Sequence, residues 1–246
     1  MSKVSIITVV YNGATSLTNT IESVVAQTYA DIEYIIIDGG STDGTIDVIK
    51  QYEKSVSIWR SEKDKGVYDA MNKGAALATG EWLFFLNSGD CLIDKDTLRN
   101  FFQQESLFQN ASIAYGDIQL TYPKHIVLKQ CERNPKYESI CHQAQFIKRS
   151  YFLEQKGFNL SYKIYGDFDF QRRAYLKSKD QLYYVPVVIA TYENVGLSSK
   201  PFYHYLKEYI RVGKNNHVSG AELLRYYFYG VSMSALTFVL TRILKK

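Results

Sequence analysis

Two runs, VSIITVV over residues 4–10 and EYIIID over residues 33–38, are apolar and β-branched without polar alternation. Strands read this way when both faces are covered, as in a parallel sheet flanked by helices. Parallel neighbours need a crossover, and Thr15–Thr28 supplies one with Leu17, Ile21, Val24 and Val25 at helical spacing. The pattern then repeats. It predicts a helix over Asp43–Tyr52, a short strand over Ser57–Trp59, a helix over Gly66–Ala78 and a strand over residues 81–86 (EWLFFL). Strands alternating with helices imply an α/β fold: a doubly wound, mostly parallel sheet with helices on both faces and right-handed crossovers.

Past Asp90 the alternation loosens. The spacing predicts a helix over Lys95–Gln104 and strands over Ser112–Asp117, Ile126–Lys129 and Gln145–Ile147. A helix over Asp167–Leu176 and a strand over Leu182–Val188 follow. After Pro201 the pattern is helical and rich in Tyr, Phe, Lys and Arg, and the natural boundary lies at residues 195–202, VGLSSKPF. A chain of 246 residues therefore reads as one large domain, 1–198, with a helical extension, 199–246.

Bulk chemistry excludes some partners. The formal net charge is only +4 and the basic residues are scattered, which argues against nucleic acid. Cys91, Cys131 and Cys141 are odd in number and lack C-x-x-C spacing, so a reducing, cytoplasmic setting is expected. The start MSKVSIITVVYN shows no secretion signal, and the uncharged stretch Tyr226–Thr241 is shorter than the ~20 apolar residues of a spanning helix.

In an open α/β sheet, ligands bind at the carboxyl ends of the strands. The predicted exits are polar: Thr8, Tyr11 and Asn12 after the first strand, Asp38 with Gly39 and Gly40 after the second, and Asn87, Ser88, Gly89 and Asp90 after the fourth. An acidic side chain after the second strand can accept from a ribose hydroxyl or a base N–H; it can equally cap a turn.

Four segments in order, VSIITVVYNGATSLTNTIESVVAQTY, IIIDGGSTDGT, DKGVYDAMNKGAALATGEW and FLNSGD, closely resemble the family 2 inverting glycosyltransferases of the GT-A fold. The resemblance is strong over residues 4–100 and weaker over 140–190. It implies a nucleotide-binding half at 1–94 and an acceptor half at 95–198, and a sugar transferred from a nucleotide-diphosphate donor to a glycan or lipid-linked acceptor in polysaccharide biosynthesis. By resemblance Thr8, Tyr11 and Asn12 line the base pocket and Asp38 meets the base or ribose. Lys65, Asp69 and Asn72 lie near the nucleotide, with Asn87 and Ser88 also on the donor side. The family's metal motif is Asp-x-Asp or Asp-Asp; here only Asp90 is acidic, and it would hold Mn²⁺ or Mg²⁺ against the diphosphate. Displacement at the anomeric carbon needs a base for the acceptor hydroxyl. The family's base is the Asp of a Glu-Asp pair, which falls on YGDFDFQRR with Gly166 at the Glu position, Asp167 at the catalytic one and Asp169 as rival. His142 and Arg172 are further candidates for contact with acceptor or phosphate.

The extension mixes Tyr203, Tyr205, Tyr209, Tyr226, Tyr227, Phe228 and Tyr229 with Lys207, Arg211, Lys214, Arg225, Arg242, Lys245 and Lys246. Such a mixture suits peripheral contact with anionic lipid at the inner face of the cytoplasmic membrane, or packing on the domain or on a second subunit. The oligomeric state stays open. The missing first Asp of the metal motif and the missing Glu beside Asp167 leave a second reading, a sugar-nucleotide-binding or scaffold protein without catalysis. A P-loop or G-x-G-x-x-G fingerprint, which other nucleotide enzymes would need, is absent.

Overall fold

The computed structural model describes residues 1–122, 125–131, 139–193, 205–225, 227–228 and 231. The alternating half comprises β1 (Val4–Val10), α1 (Ala14–Val25), β2 (Ile32–Asp38), α2 (Thr45–Gln51), β3 (Ile58–Ser61), α3 (Val67–Leu77) and β4 (Trp82–Phe85). After it come β5 (Cys91–Leu92), α4 (Thr97–Phe102), α5 (Glu105–Phe108), β6 (Ile113–Tyr122) and β7 (His125–Lys129). The last elements are β8 (Gln145–Lys148), α6 (Arg149–Glu154), α7 (Gly166–Lys177), β9 (Leu182–Glu193) and α8 (Leu206–Asn215).

The strands form one sheet in the order β3-β2-β1-β4-β8-β6-β9-β5, with β7 paired to β6. β1 through β4 are mutually parallel, and β6 and β9 run parallel to each other. β8 enters antiparallel between β4 and β6, while β7 and β5 pair antiparallel at the margins. The sheet is thus mostly parallel, as the unalternating strands require.

Side-chain alternation splits the interior into two cores. Ile7, Val9, Ile35 and Ile37 face Met71 and Ala75 of α3, with Phe152 of α6, Phe168 of α7 and Tyr209 of α8 in the same core. Ile6, Val10, Tyr34 and Ile36 face Leu17 and Ile21 of α1 and Ile49 of α2 on the other side, with Phe101 of α4 and Phe108 of α5. Helices cover both faces.

Connectivity fixes where a ligand can enter. From β1 the chain moves outward to β2 and β3, then returns through α3 to β4 on the opposite side of β1. That reversal leaves a crevice outside the carboxyl ends of β1 and β4. The turn after β4 stays close to that of β1, since the Ser88 N–H donates to Val9 O at 3.1 Å and the Ser16 and Ser88 hydroxyls lie 2.9 Å apart.

The structure adds elements to the sequence reading. The helix expected over Lys95–Gln104 is α4, whereas β5, α5 and α6 were not anticipated. Within the extension α8 packs on the domain: its Tyr209 and Val212 are 1% and 0% exposed. The boundary expected at 195–202 and Tyr203, Tyr226, Tyr229, Arg242, Lys245 and Lys246 lie outside the described residues.

Candidate active site

The donor side is built by the turn after β4. Gly89, at φ +97, takes a conformation that L side chains avoid, and its N–H donates to the Thr20 hydroxyl at 2.9 Å. The chain then folds back so that the Asp90 N–H donates to Asn87 O at 3.0 Å. Asp90 ends up 7% exposed, with Gln143 Nε2 donating to its Oδ2 at 3.0 Å. Burial pushes the Asp90 carboxyl up to about 6, against the opposing pull of nearby His142 and the Gln143 hydrogen bond.

The acceptor side is the start of α7. Asp167 lies in its first turn, where a carboxylate suits the positive end of the helix. Its Oδ1 accepts from its neighbour's backbone N–H, Phe168, at 2.8 Å and from the Tyr68 hydroxyl at 3.1 Å. Its Oδ2 faces His142 Nδ1 at 3.4 Å, and the side chain stays 12% exposed. On the other edge of the imidazole, Asn87 Nδ2 meets Nε2 at 3.0 Å. An amide nitrogen only donates, so Nε2 accepts and the ring proton sits on Nδ1, directed at Asp167.

One imidazole therefore links the two sides of the crevice. Asn87 from the β4 turn and Asp167 from α7 hold opposite nitrogens of His142, and the next residue, Gln143, donates to Asp90. Asp169 goes elsewhere. Two residues further along the helix it points to another side, pairing with Arg173 Nε at 3.2 Å and accepting from Asn216 Nδ2 at 2.9 Å.

The remaining expected contacts divide. Tyr11, 66% exposed, and Asn12, also exposed, stand at the crevice lip. Asn12 Oδ1 accepts from the Thr42 N–H at 2.9 Å, which ties the β1 exit to the β2 exit. Lys65 and Asp69 sit together before and in the first turn of α3, the Lys65 N–H donating to Asp69 Oδ2 at 3.0 Å. Ser88 bonds Ser16 and stays partly accessible.

Four more of the expected residues meet partners inside the protein. Thr8 is fully buried, its hydroxyl donating to Leu86 O at 2.8 Å with the Tyr34 hydroxyl at 3.1 Å, so it braces β1 on β4 beneath the crevice. Asp38, also fully buried, accepts from the Gly40 and Ser41 N–H groups and the Ser41 and Ser61 hydroxyls, and holds the β2 turn. Asn72 clasps the Phe158 backbone, accepting and donating at 2.9 Å. Arg172 is fully buried and ion-paired to Glu222 at 2.6 Å. Nothing in the local pattern marks these polar groups as spent internally, because their partners lie 23 or more residues away or arise from turn geometry.

Sequence reasoning passed over Tyr68 and Gln143. Tyr68 falls on the apolar stripe of α3 and reads as core, while Gln143 is merely the neighbour of His142. The Gly39 backbone also faces Asp64, whose Oδ2 lies 2.5 Å from where a β-carbon on residue 39 would be, with Tyr11 Cδ2 at 3.3 Å. These place Asp64 beside Tyr11 at the crevice lip.

No three His, Cys, Asp or Glu side chains among the described residues cluster to hold a metal. Yet the Oδ1 atom of Asn87 is buried without a hydrogen-bond partner among them, three residues before Asp90. A buried amide oxygen left open in the same turn as a carboxylate is a donor pair that suits a hard divalent cation, whose other ligands come from phosphate and water.

The sequence profile described as Glycosyl transferase family 2 matches residues 5–178. A PGL/p-HBAD biosynthesis glycosyltransferase of Mycobacterium bovis is 34% identical over 197 residues, covering 78% of this chain and 77% of the relative. Among solved structures, Staphylococcus aureus TarS in complex with UDP-GlcNAc superposes with TM-score 0.72 at 15% identity, over 94% of this chain and 72% of that one. The mannosyltransferase PcManGT from Pyrobaculum calidifontis, in complex with GDP-Man and Mn²⁺, gives TM-score 0.72 at 14% identity, over 98% and 75%.

Proposed function

The chain belongs to glycosyl transferase family 2, and from that premise we propose that it is a metal-dependent inverting transferase moving a sugar from a nucleotide-diphosphate donor to a glycan or lipid-linked acceptor. One observation carries the reading: Asp90 and Asp167, 77 positions apart in sequence, are held by consecutive residues, Gln143 donating to Asp90 and His142 facing Asp167.

Asp167 takes the role of base. The Tyr68 hydroxyl and the Phe168 N–H occupy Oδ1, so Oδ2 is the oxygen left to receive the acceptor's proton. The imidazole N–H of His142 fixes the orientation of that oxygen, as the Asn87 amide fixes the ring. As the acceptor oxygen bonds to the anomeric carbon from one face, the bond to the diphosphate breaks on the other and the hydroxyl proton passes to Asp167. Configuration inverts. On the leaving-group side, Asp90 and Asn87 Oδ1 are the atoms that would hold Mg²⁺ or Mn²⁺; when bound, the cation neutralises charge on the departing diphosphate. Tyr11, Asn12, Lys65 and Asp69 lie at the exits where the nucleotide enters, and Ser88 and Asn87 border the diphosphate.

Peripheral membrane contact is supported by the chain after α8. Leu224, Tyr227, Phe228 and Val231, at positions i, i+3, i+4 and i+7, are 54%, 48%, 62% and 39% exposed, with Arg225 exposed beside them. An apolar stripe next to basic residues is the arrangement an anionic lipid surface takes up. No helix among the described residues is long and apolar enough to cross a membrane.

The test is nucleotide release from UDP-, GDP- and dTDP-sugars with Mn²⁺, with and without chelator. Turnover that chelation removes and Asp167→Asn lowers by orders of magnitude supports the proposal. Tight donor binding with no turnover on any acceptor supports a sugar-nucleotide-binding scaffold instead.

A further inference from the structure

The family's Glu-Asp pair is Gly-Asp here, at residues 166 and 167, and the structure supplies a physical reason. A β-carbon on Gly166 would lie 2.7, 2.8 and 2.9 Å from Cε2, Cζ and Cδ2 of Tyr68. Real β-carbons essentially never approach so closely, and the Tyr68 ring, 5% exposed, is hemmed in by Phe158 at 5.3 Å between centroids. The aromatic ring occupies the ground that a side chain at 166 would need.

What the ring delivers through that space is a hydroxyl. Its one O–H is shared between Ile164 O at 2.5 Å and Asp167 Oδ1 at 3.1 Å, so it touches both the carboxylate and the loop leading into α7. Burial, and the charge of Asp167 beside it, push the Tyr68 phenol well above its ordinary range, which keeps it a donor. The N–H of the same Ile164 donates to Glu208 of α8 at 2.8 Å, so the residue is fastened on both backbone atoms. Tyr68 itself stands on the first turn of α3, beside Asp69 and close to Lys65 on the donor side.

We infer that Tyr68, from the nucleotide half, is the positioning residue for Asp167 and that Gly166 is the space admitting its ring. This rests on Asp167 being the base, and it ties the geometry of the base to the helix that borders the donor.

Tyr68→Phe removes the hydroxyl and keeps the ring. With donor and acceptor saturating, kcat is expected to fall about 10- to 100-fold, the range of a lost hydrogen bond to a charged group. Donor Kd by calorimetry and acceptor KM are expected to stay within about twofold. Gly166→Ala keeps the hydroxyl and displaces the ring, and should also lower kcat at least about 10-fold with donor binding retained. In a Tyr68→Ala background the same Gly166→Ala change should add almost nothing, because the ring it collides with is gone. A merely structural role for Tyr68 would lower stability without separating kcat from KM. If Tyr68→Phe and Gly166→Ala both turn over at the wild-type rate while Asp167→Asn is inactive, the positioning role is overturned and the base assignment stands. Should Asp167→Asn itself retain full turnover, the base assignment fails whatever the Tyr68 variants do.

Discussion

Removing the Glu208 carboxylate should both weaken the fold and disorder the approach to the base. Its Oε1 accepts from the Lys163 N–H at 2.9 Å, and Oε2 from the N–H groups of Ile164 and Tyr165 at 2.8 and 3.0 Å. Arg211 steadies the arrangement, reaching Glu208 Oε1 at 3.3 Å and Ser161 O at 2.7 Å. Hydrogen bonds to a charged acceptor contribute about 1.5–3 kcal/mol each when desolvated. Lys163 is exposed and Ile164 and Tyr165 are only half-buried, so water recovers part of the loss in the variant. A net cost of about 2–4 kcal/mol is expected for Glu208→Ala, and roughly half of that for Glu208→Gln, which keeps one acceptor oxygen. For a chain of this size 3 kcal/mol corresponds to a fall of about 6–12 °C in Tm. Urea titration followed by circular dichroism measures the stability, and turnover well below the new Tm should still be reduced, because residues 163–165 lead directly into the helix bearing Asp167. Unchanged stability together with unchanged turnover would refute the claim that α8 holds this loop.

Other outcomes follow from separate parts of the molecule. Burial alone would raise the Glu33 carboxyl, but hydrogen bonds from the Ser5 hydroxyl, the Thr79 N–H and hydroxyl and Lys3 outweigh it and bring it down from 4.5 to about 2. A depressed folded-state value stabilises above the unfolded one, so this contribution is present above about pH 4.5 and lost as pH falls toward 2; Glu33→Gln should flatten the urea midpoint across that window. Asp169→Asn should cost about 1–3 kcal/mol through its half-shielded pair with Arg173 and leave turnover within a few-fold of wild type, measured beside Asp167→Asn. Phe228→Asp combined with Leu224→Asp should reduce sedimentation with anionic vesicles by at least about tenfold and leave transfer to a soluble acceptor unaltered.

Much of the architecture was written in local pattern. The unalternating runs at β1 and β2 and the helical spacing of Leu17, Ile21 and Val24 set the parallel half, and the observed bounds depart from expectation by only a few residues. The antiparallel insertion of β8 between β4 and β6 was not legible, because pairing direction depends on long-range connections rather than on composition. Around the site, the order of motifs pointed to Asp90, His142 and Asp167, and these residues do converge. The internal partners of Thr8, Asp38, Asn72 and Arg172 were not legible, because a polar residue at a strand exit or helix start has the same appearance whether it faces a ligand or a buried partner. Tyr68 was hidden by the opposite ambiguity: its ring belongs to the core, and only its hydroxyl reaches the base. In the extension, the aromatic and basic composition concealed two roles, with Tyr209 packed against Phe168 at 5.4 Å and Phe228 exposed.

The division of labour between the two carboxylates is most directly tested by titrating donor and Mn²⁺ into Asp90→Ala and Asp167→Asn in a calorimeter while following turnover of the same preparations. The roles assigned here predict that Asp90→Ala loses metal-dependent donor binding, whereas Asp167→Asn binds donor like the wild type and fails to turn it over. Equal loss of donor binding in both variants, or full turnover by Asp167→Asn, would contradict them.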